Sequence, residues 1–229
     1  MKQDTPRVSH LGSRPQSGMG FTLVELLVVL TIIGAVVALA AAAITSIMGA
    51  RQVSSGAYDV QQLVELARNE AMTRQTYVWI GCLNTRREGE PEVDLAAVYS
   101  RDGSTNSVSS NLLPLAKPLR IAGVMGIEWN ALKESTRALF TNAVPKSVMA
   151  NGNGITFSVN QARFAGATLT FTPRGEALLK GAPGPDDGYD ASIDISLRRS
   201  RGGAVRSDSD DAAVVIDGAT GNPQLIRLQ

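Results

Sequence analysis

The chain has 229 residues, enough for one domain with an additional N-terminal segment or for two small domains. Its 22 Lys and Arg residues nearly balance its 21 Asp and Glu residues, so no strong charge favours nucleic acid as a partner. Cys82 is the single cysteine and His10 the single histidine, which rules out a disulfide within this sequence and a His-based catalytic triad beyond residue 10.

Residues 1–20 form a polar segment with nothing to bury. It contains Lys2, Arg7 and Arg14 against a single acidic residue, Asp4. Positive charge of this kind is typical of the cytoplasmic side of a membrane segment. We therefore predict a cytoplasmic leader over residues 1–20.

Residues 21–50 form an apolar run, and from Leu26 to Ala50 it contains no Asp, Glu, Lys or Arg. A helix needs only about 20 such residues to cross a bilayer core. The run predicts a single transmembrane helix, with one anomaly. Glu25 lies one helical turn inside it, where an ionisable group costs about 2.5–3.5 kcal/mol and requires a partner.

A chain cut after Gly20 would supply that partner. The new α-amino group of Phe21 would lie on the same helix face as Glu25, and the amine of a neighbouring copy would reach it equally well. Two opposite charges about 4 Å apart attract by roughly 4 kcal/mol at an effective dielectric near 20. The attraction would offset much of the burial cost and fix the axial register of neighbouring helices.

Gly20 followed by Phe21-Thr22-Leu23-Val24-Glu25-Leu26-Leu27-Val28-Val29-Leu30 resembles the class III signal of type IV pilins and type II secretion pseudopilins. In that family a membrane-bound prepilin peptidase cuts after the glycine and N-methylates the next residue. The resemblance implies that Gly20 precedes the cut, that Phe21 becomes the methylated N-terminus and that Glu25 pairs with a neighbour's amine during filament assembly.

Two simpler interpretations of residues 21–50 are a secretory signal peptide and a plain membrane anchor. Ala38-Leu39-Ala40 offers a signal-peptidase site. The apolar run is longer than a signal-peptide core, however, and neither interpretation accounts for Glu25.

Beyond residue 50 the apolar residues follow a helical period. They recur at steps of three and four and, with Leu63, form one buried stripe: Val53, Ala57, Val60, Val64, Ala67 and Ala71. Glu70 and Arg74 should pair on the exposed side. We predict one helix from Thr22 to Thr76, whose second half covers residues 51–76, with soft points at Gly34, Gly49 and Gly56.

Residues 77–229 read as a β-rich head domain. The predicted strands are Tyr77–Leu83, Val93–Tyr99, Leu119–Trp129 broken around Gly123 and Gly126, Ile155–Asn160, Thr168–Thr172, Ser192–Leu197, Ala212–Ile216 and Gln224–Leu228. A short helix is predicted at Ala131–Phe140. The predicted fold class is α+β: a long N-terminal helix, transmembrane in its first half, packed on a small antiparallel sheet in a pilin-like arrangement.

Parts of the head resemble the FimT/GspH-like minor pilins. The resemblance lies in Leu66–Arg74 followed by Tyr77–Ile80, in Thr168–Ala177 and in Val215–Leu228. Residues 84–118 do not share it and are interpreted as an insertion or a divergent loop.

Four groups of residues resemble ligand-binding sites, but each is explained more simply as a structural feature. Asp186, Asp187 and Asp190 do not match the spacing of an EF-hand and read as a solvated turn. Asn151-Gly152-Asn153-Gly154 precedes no helix and reads as a turn rather than a phosphate loop.

The other two groups are two oppositely charged segments near the C-terminus and the single cysteine. Asp208, Asp210 and Asp211 oppose Arg198, Arg199, Arg201 and Arg206, which predicts a charged hairpin loop. Cys82 lies in an apolar strand and reads as a small buried hydrophobe. We therefore expect no metal and no cofactor.

The sequence predicts a minor pilin or pseudopilin, a filament subunit and not an enzyme. Its expected partners are prepilin peptidase, other pilin subunits and membrane lipid, with the chain in the bacterial cytoplasmic membrane and the head on the periplasmic side. Two alternatives stay open: a DNA-binding minor pilin of a competence pilus, and a membrane-anchored periplasmic binding domain that does not polymerise. A membrane-tethered hydrolase is disfavoured by the lack of histidine.

Overall fold

The computed structural model describes residues 22–150, 152–181, 190–201, 204–205 and 210–227. The chain divides into two compact units, residues 1–44 and residues 45–229. The secondary structure is that of an α+β protein: one long helix precedes a series of predominantly antiparallel strands.

Helix α1 spans Leu23–Arg74 and agrees with the predicted Thr22–Thr76 to within two residues at each end. Residues 22–38 are exposed, and the large apolar side chains among them are 47–79% accessible. Among the described residues, no helix combines the length and hydropathy that a membrane span needs.

The second half of α1 supplies the centre of the head's core. Each residue of the predicted apolar stripe is buried: Val53, Ala57, Val60, Val64, Ala67 and Ala71 at 0–1% accessibility and Leu63 at 8%. The predicted pair of Glu70 and Arg74 forms an ion pair on the solvent side. The 3.6-residue period was therefore sufficient to identify the buried face of this half-helix.

The strands and the second helix follow in chain order. The strands are β1 (Val78–Arg87), β2 (Glu90–Ser100), β3 (Leu112–Pro114), β4 (Leu119–Ala122), β5 (Val124–Ile127), β6 (Lys146–Ser147), β7 (Phe157–Val159), β8 (Ala162–Phe164), β9 (Thr168–Phe171), β10 (Ala177–Lys180), β11 (Ser192–Arg201), β12 (Ala204–Val205), β13 (Asp211–Asp217) and β14 (Pro223–Arg227). Helix α2 (Glu134–Arg137) is shorter than the predicted Ala131–Phe140 and follows a 3₁₀ turn at Trp129–Ala131.

The first sheet has the strand order β10-β9-β1-β2-β3, with β4 also paired to β2. Alternate residues of β1 face opposite ways because side chains alternate along a strand. Val78 and Ile80 belong to the core around α1, whereas Trp79 packs with Phe157 and Phe164 of the β7–β8 hairpin. The face that carries Trp79 is called the outer face below.

The second sheet has the order β12-β11-β13-β14, with β5 and β6 also paired to β11. Ile193, Ile195 and Leu197 of β11 join the core around α1. The opposite face of this sheet is covered by residues 128–148, including Trp129 and Leu132. Both faces of β11 and β13 are therefore buried.

The predicted antiparallel β-rich head is confirmed, but it contains several sheets and not a single small one. Within the described residues there are two six-stranded sheets and a two-stranded one, and β6 pairs with β11 in parallel. The sequence prediction missed β3, β6, β8, β10 and β12, which have two to four residues each. Strands this short contain too few alternations to produce a recognisable period.

Residues 84–118 are also more ordered than a divergent loop. β1 and β2 form a long hairpin through Arg87 and Glu90, and the loop after β2 is organised by Asp102. Hydrogen bonds from the backbone and hydroxyl of Ser104, and from Asn111 and Ser100, hold the pKa of the Asp102 carboxyl well below its usual range.

Gly56 was predicted to be a soft point of α1 and instead marks a close contact. It is buried in an uninterrupted helix, and a Cβ atom there would lie 2.6 Å from Cγ2 of Ile121 on β4. Glycine at this position lets the helix lie close to the sheet without displacing Ile121.

Candidate functional site

The start of α1 is built as a capping box. The backbone N–H of Glu25 donates to Thr22 Oγ1 at 3.2 Å, and the backbone N–H of Thr22 donates to Glu25 Oε2 at 3.3 Å. The Thr22 hydroxyl also donates to Oε2 at 3.3 Å. This reciprocal arrangement satisfies two N–H groups that a helix start otherwise leaves unpaired.

Glu25 therefore has a role within its own chain that the sequence interpretation missed. The signal was available, since Thr22-x-x-Glu25 before an apolar run is the sequence pattern of a capping box. The carboxylate also lies in the first turn, where its charge is favourable to the helix dipole. Among the described residues, only the Oε2 atom of Glu25 accepts hydrogen bonds.

The other two residues of the predicted processing site, Gly20 and Phe21, lie outside the described residues. The candidate site therefore consists of Glu25, its cap Thr22 and the exposed apolar surface that follows. That surface includes Leu23, Leu26 and Leu30, at 79%, 58% and 60% accessibility. A continuous exposed apolar surface is typical of a segment that contacts lipid or another protein chain.

A second concentration of polar groups lies inside the head, on the face of β11 that residues 128–148 cover. Asp194 is fully buried, and its Oδ2 accepts hydrogen bonds from the hydroxyls of Ser196 at 2.5 Å and Ser147 at 3.3 Å. Its Oδ1 has no partner within the described residues. Burial raises the pKa of the Asp194 carboxyl to about 7, although the two hydroxyl donors lower it.

The predicted charged hairpin loop around Arg198 was wrong. Arg198 and Asp211 are both buried, and a guanidinium nitrogen donates to the Asp211 carboxylate at 2.9 Å. The carboxylate also accepts from the Lys133 backbone and the Thr136 hydroxyl, and Arg198 donates to the carbonyl of Ala131. The pair joins residues 131–136 to the second sheet. Asp208 and Arg206 lie outside the described residues.

The predicted solvated turn at Asp186, Asp187 and Asp190 was also wrong for Asp190. This residue is buried, accepts a hydrogen bond from the backbone of Leu179 at 2.9 Å and forms an ion pair with Lys146 at 2.7 Å. Asp186 and Asp187 lie outside the described residues.

Two other predicted positions have local roles. Cys82 packs against the core around α1 and is partly buried, and burial raises the pKa of its thiol to about 12. Of the predicted turn at 151–154, Asn151 lies outside the described residues. The N–H of Asn153 donates to the carbonyl of Gly181, and that of Gly154 donates to Gly166. Both contacts tie this turn to the first sheet.

Within the ranges that the structure describes, no three His, Cys, Asp or Glu side chains are grouped so as to hold a metal ion.

The chain was compared with protein-family models, curated proteins and solved structures. No family model, no curated protein and no solved structure matches it.

Proposed function

We propose that this chain is a minor pilin or pseudopilin, a structural subunit of a type IV pilus or a type II secretion pseudopilus. One observation carries the proposal. A single carboxylate, Glu25, lies one turn into an exposed apolar helix, and the same helix continues into the centre of the head's core.

In this proposal, residues 21–50 anchor the uncut protein in the cytoplasmic membrane with the head on the periplasmic side. Prepilin peptidase cuts between Gly20 and Phe21 and methylates the new amine. The Oε1 atom of Glu25 then accepts the amine of a neighbouring subunit, while Oε2 keeps its place in the capping box. The charge attraction selects the axial register in which amine and carboxylate meet.

The apolar side chains of residues 22–38 then exchange lipid for the helices of neighbouring subunits. Association of helices in a membrane relies on close van der Waals contact and on satisfied polar groups. The segment offers leucine, valine and isoleucine side chains for the first and a capped carboxylate, Glu25, for the second. The head is attached through the buried stripe of α1 and would lie on the outside of the filament.

The capping box makes a sharp experiment possible, because glutamine can replace glutamate at this position of the box. Glu25→Gln keeps the helix cap and removes the charge. We expect this variant to reach the membrane but to be absent from sheared or purified filaments. Immunoblots of membrane and filament fractions measure both outcomes.

The matched control is Thr22→Val, which removes the cap and keeps the charge. It weakens the helix start by about 0.5–2 kcal/mol and should still assemble. Normal incorporation of the Glu25→Gln variant into filaments would contradict the proposal. If only the Thr22→Val variant failed to assemble, the role of Glu25 would be to cap the helix and not to pair with a neighbouring amine.

The competing proposal of a membrane-anchored binding domain that does not polymerise is favoured by a groove on the head, described below. It predicts that Glu25→Gln leaves function unchanged. The proposal of a DNA-binding minor pilin loses part of its support, because Arg198 is buried in an ion pair with Asp211 and is not available to phosphate.

A further inference from the structure

The outer face of the first sheet carries a groove with a volume of 440 Å³. Thr170 of β9 forms the middle of its floor. It lies directly opposite Trp79 on β1 and Leu178 on β10, so the three side chains share one face of the sheet. The floor therefore places one hydroxyl between an aromatic and an aliphatic side chain.

The β7–β8 hairpin covers one end of this outer face and leaves the other end open. Phe157 and Phe164 pack over Gly81, where an added Cβ atom would lie 2.9 Å from the ring of Phe157. At the open end, the partly exposed ring of Tyr77 stacks beside Trp79 with a centroid distance of 6.3 Å and an angle of 20°. Tyr77 thus presents an aromatic surface to the groove.

The hydroxyl of Thr170 is buried, with the residue 3% accessible, and has no hydrogen-bond partner within the described part of the chain. Two neighbouring threonines on the same face are satisfied. Thr168 donates to the carbonyl of Gly166 at 3.2 Å, and Thr172 donates to the carboxylate of Glu176 at 3.0 Å. A buried hydroxyl without a hydrogen-bond partner calls for an explanation, and because Thr170 lines the groove, a ligand oxygen there is one such explanation.

An added peptide strand is not the occupant that this geometry fits. The neighbouring edge of the sheet is β10, and its outward N–H groups are already used. Ala177 donates to the carbonyl of Gly218 at 2.8 Å, and Leu179 donates to the Asp190 carboxylate at 2.9 Å. A ligand in this groove would therefore be held by side chains.

We propose that the groove binds a saccharide. A pyranose ring combines an apolar C–H face, which matches Tyr77 and Leu178, with hydroxyl groups that pair with Thr170 and Glu176. A purely apolar ligand would leave the Thr170 hydroxyl unpaired. The rim carries Glu176 together with Arg174 and Lys180, so both neutral and acidic sugars fit its charges.

The test uses the full-length protein in detergent, titrated with chitohexaose as a neutral probe and with an oligogalacturonate as an acidic probe. Binding is measured by tryptophan fluorescence and by isothermal titration calorimetry. We expect saturable binding of at least one probe. The Arg174→Ala variant distinguishes neutral from acidic saccharides as ligands, because it should weaken the binding of the acidic probe only.

The decisive variant is Thr170→Val, which removes the hydroxyl and keeps the branched side chain. We expect the affinity to fall by at least about tenfold, with unchanged circular dichroism and a melting temperature no lower than that of the parent, because the variant removes an unpaired buried hydroxyl. The matched control is Thr85→Val on β1, outside the groove, which should bind as the unmodified protein does. Tyr77→Ala provides a second variant in the groove and should also lose binding.

Failure of both probes to bind up to millimolar concentration would overturn the proposal, as would unchanged affinity in both Thr170→Val and Tyr77→Ala. The inference rests on the geometry of the head alone. A negative result here therefore leaves the filament proposal unaffected, and a failure of filament assembly leaves this site unaffected.

Discussion

At the scale of single residues, the head contains carboxylates that are buried for structural reasons. Asp190 pairs with Lys146 and Asp211 pairs with Arg198, whereas within the described part of the chain Asp194 accepts hydrogen bonds from two hydroxyl groups and has no cationic partner. A carboxylate without a cationic partner is destabilised in its charged form when it leaves water. The ionisation of Asp194 should therefore depend on folding.

We predict that Asp194 makes the head less stable as the pH rises from about 4 to about 7. Its pKa is raised by burial from an ordinary value of 3.8 to about 7 in the folded protein. The unfolded chain therefore loses this proton first, and the free energy of unfolding falls across the window and is level above it. The ionisation of Asp194 should change the free energy of unfolding by on the order of 4 kcal/mol at most.

Asp194→Asn should remove this dependence while keeping an oxygen that accepts from Ser196. Urea unfolding at a series of pH values measures the difference in slope between the variant and the parent. Burial also raises the pKa of Glu92, but that group contributes equally to both proteins. Asp59→Asn, at an exposed position on α1, serves as the control. Equal slopes for Asp194→Asn and the parent would contradict the prediction.

The sequence identified some of these residues and missed others for a physical reason. Glu25 was recognisable because a lone charge stands out in an apolar run. Asp190 and Asp211 were taken for exposed residues because charge alone predicts exposure. Their cationic partners are 44 and 13 positions away in the chain, and only the folded sheets bring each pair together. The Thr170 hydroxyl had no sequence signal at all.

At the scale of elements, the contact between α1 and the first sheet depends on small residues. Three alanines of the buried stripe, Ala57, Ala67 and Ala71, are completely inaccessible, and Gly56 contacts Ile121 of β4. Small side chains let the helix axis lie close to the sheet, and a close-packed interface of this kind tolerates little added volume.

We predict that Gly56→Ala destabilises the head by about 1–3 kcal/mol, since Ile121 must move to admit the methyl group. The opposite sign is expected from helix propensity alone, because alanine is the better helix former. Gly34→Ala is the matched control, since nothing lies within 4 Å of an added Cβ atom there. Thermal unfolding of both variants measures the difference. A stabilised Gly56→Ala would show that the helix is not packed as described.

The elements themselves were predictable to different degrees. The long helix, its buried stripe and most strands of five or more residues were predicted from periodicity. The pairing of the strands was not predictable. β11 pairs with β5, β6, β12 and β13, and this pairing depends on the packing of the whole core. Glycine at position 56 was taken for flexibility because sequence alone does not distinguish a hinge from a close contact.

At the scale of the whole molecule, the chain combines a head that has a buried core with a helix start that exposes apolar side chains. The two halves of α1 have different surfaces: residues 51–74 bury one face in the head, and residues 22–38 are exposed all round. An exposed apolar helix with one capped carboxylate is not explained by the stability of the head. The filament proposal would account for it by an environment of lipid and of other copies of the same segment.

The most direct test of this proposal is the intact mass and N-terminal sequence of the protein isolated from its native membrane. The proposal predicts a chain that begins at Phe21 and carries an N-methyl group on that residue. A chain that begins at Ala41, as after signal-peptidase cleavage, or an intact chain that begins at Met1 would contradict it.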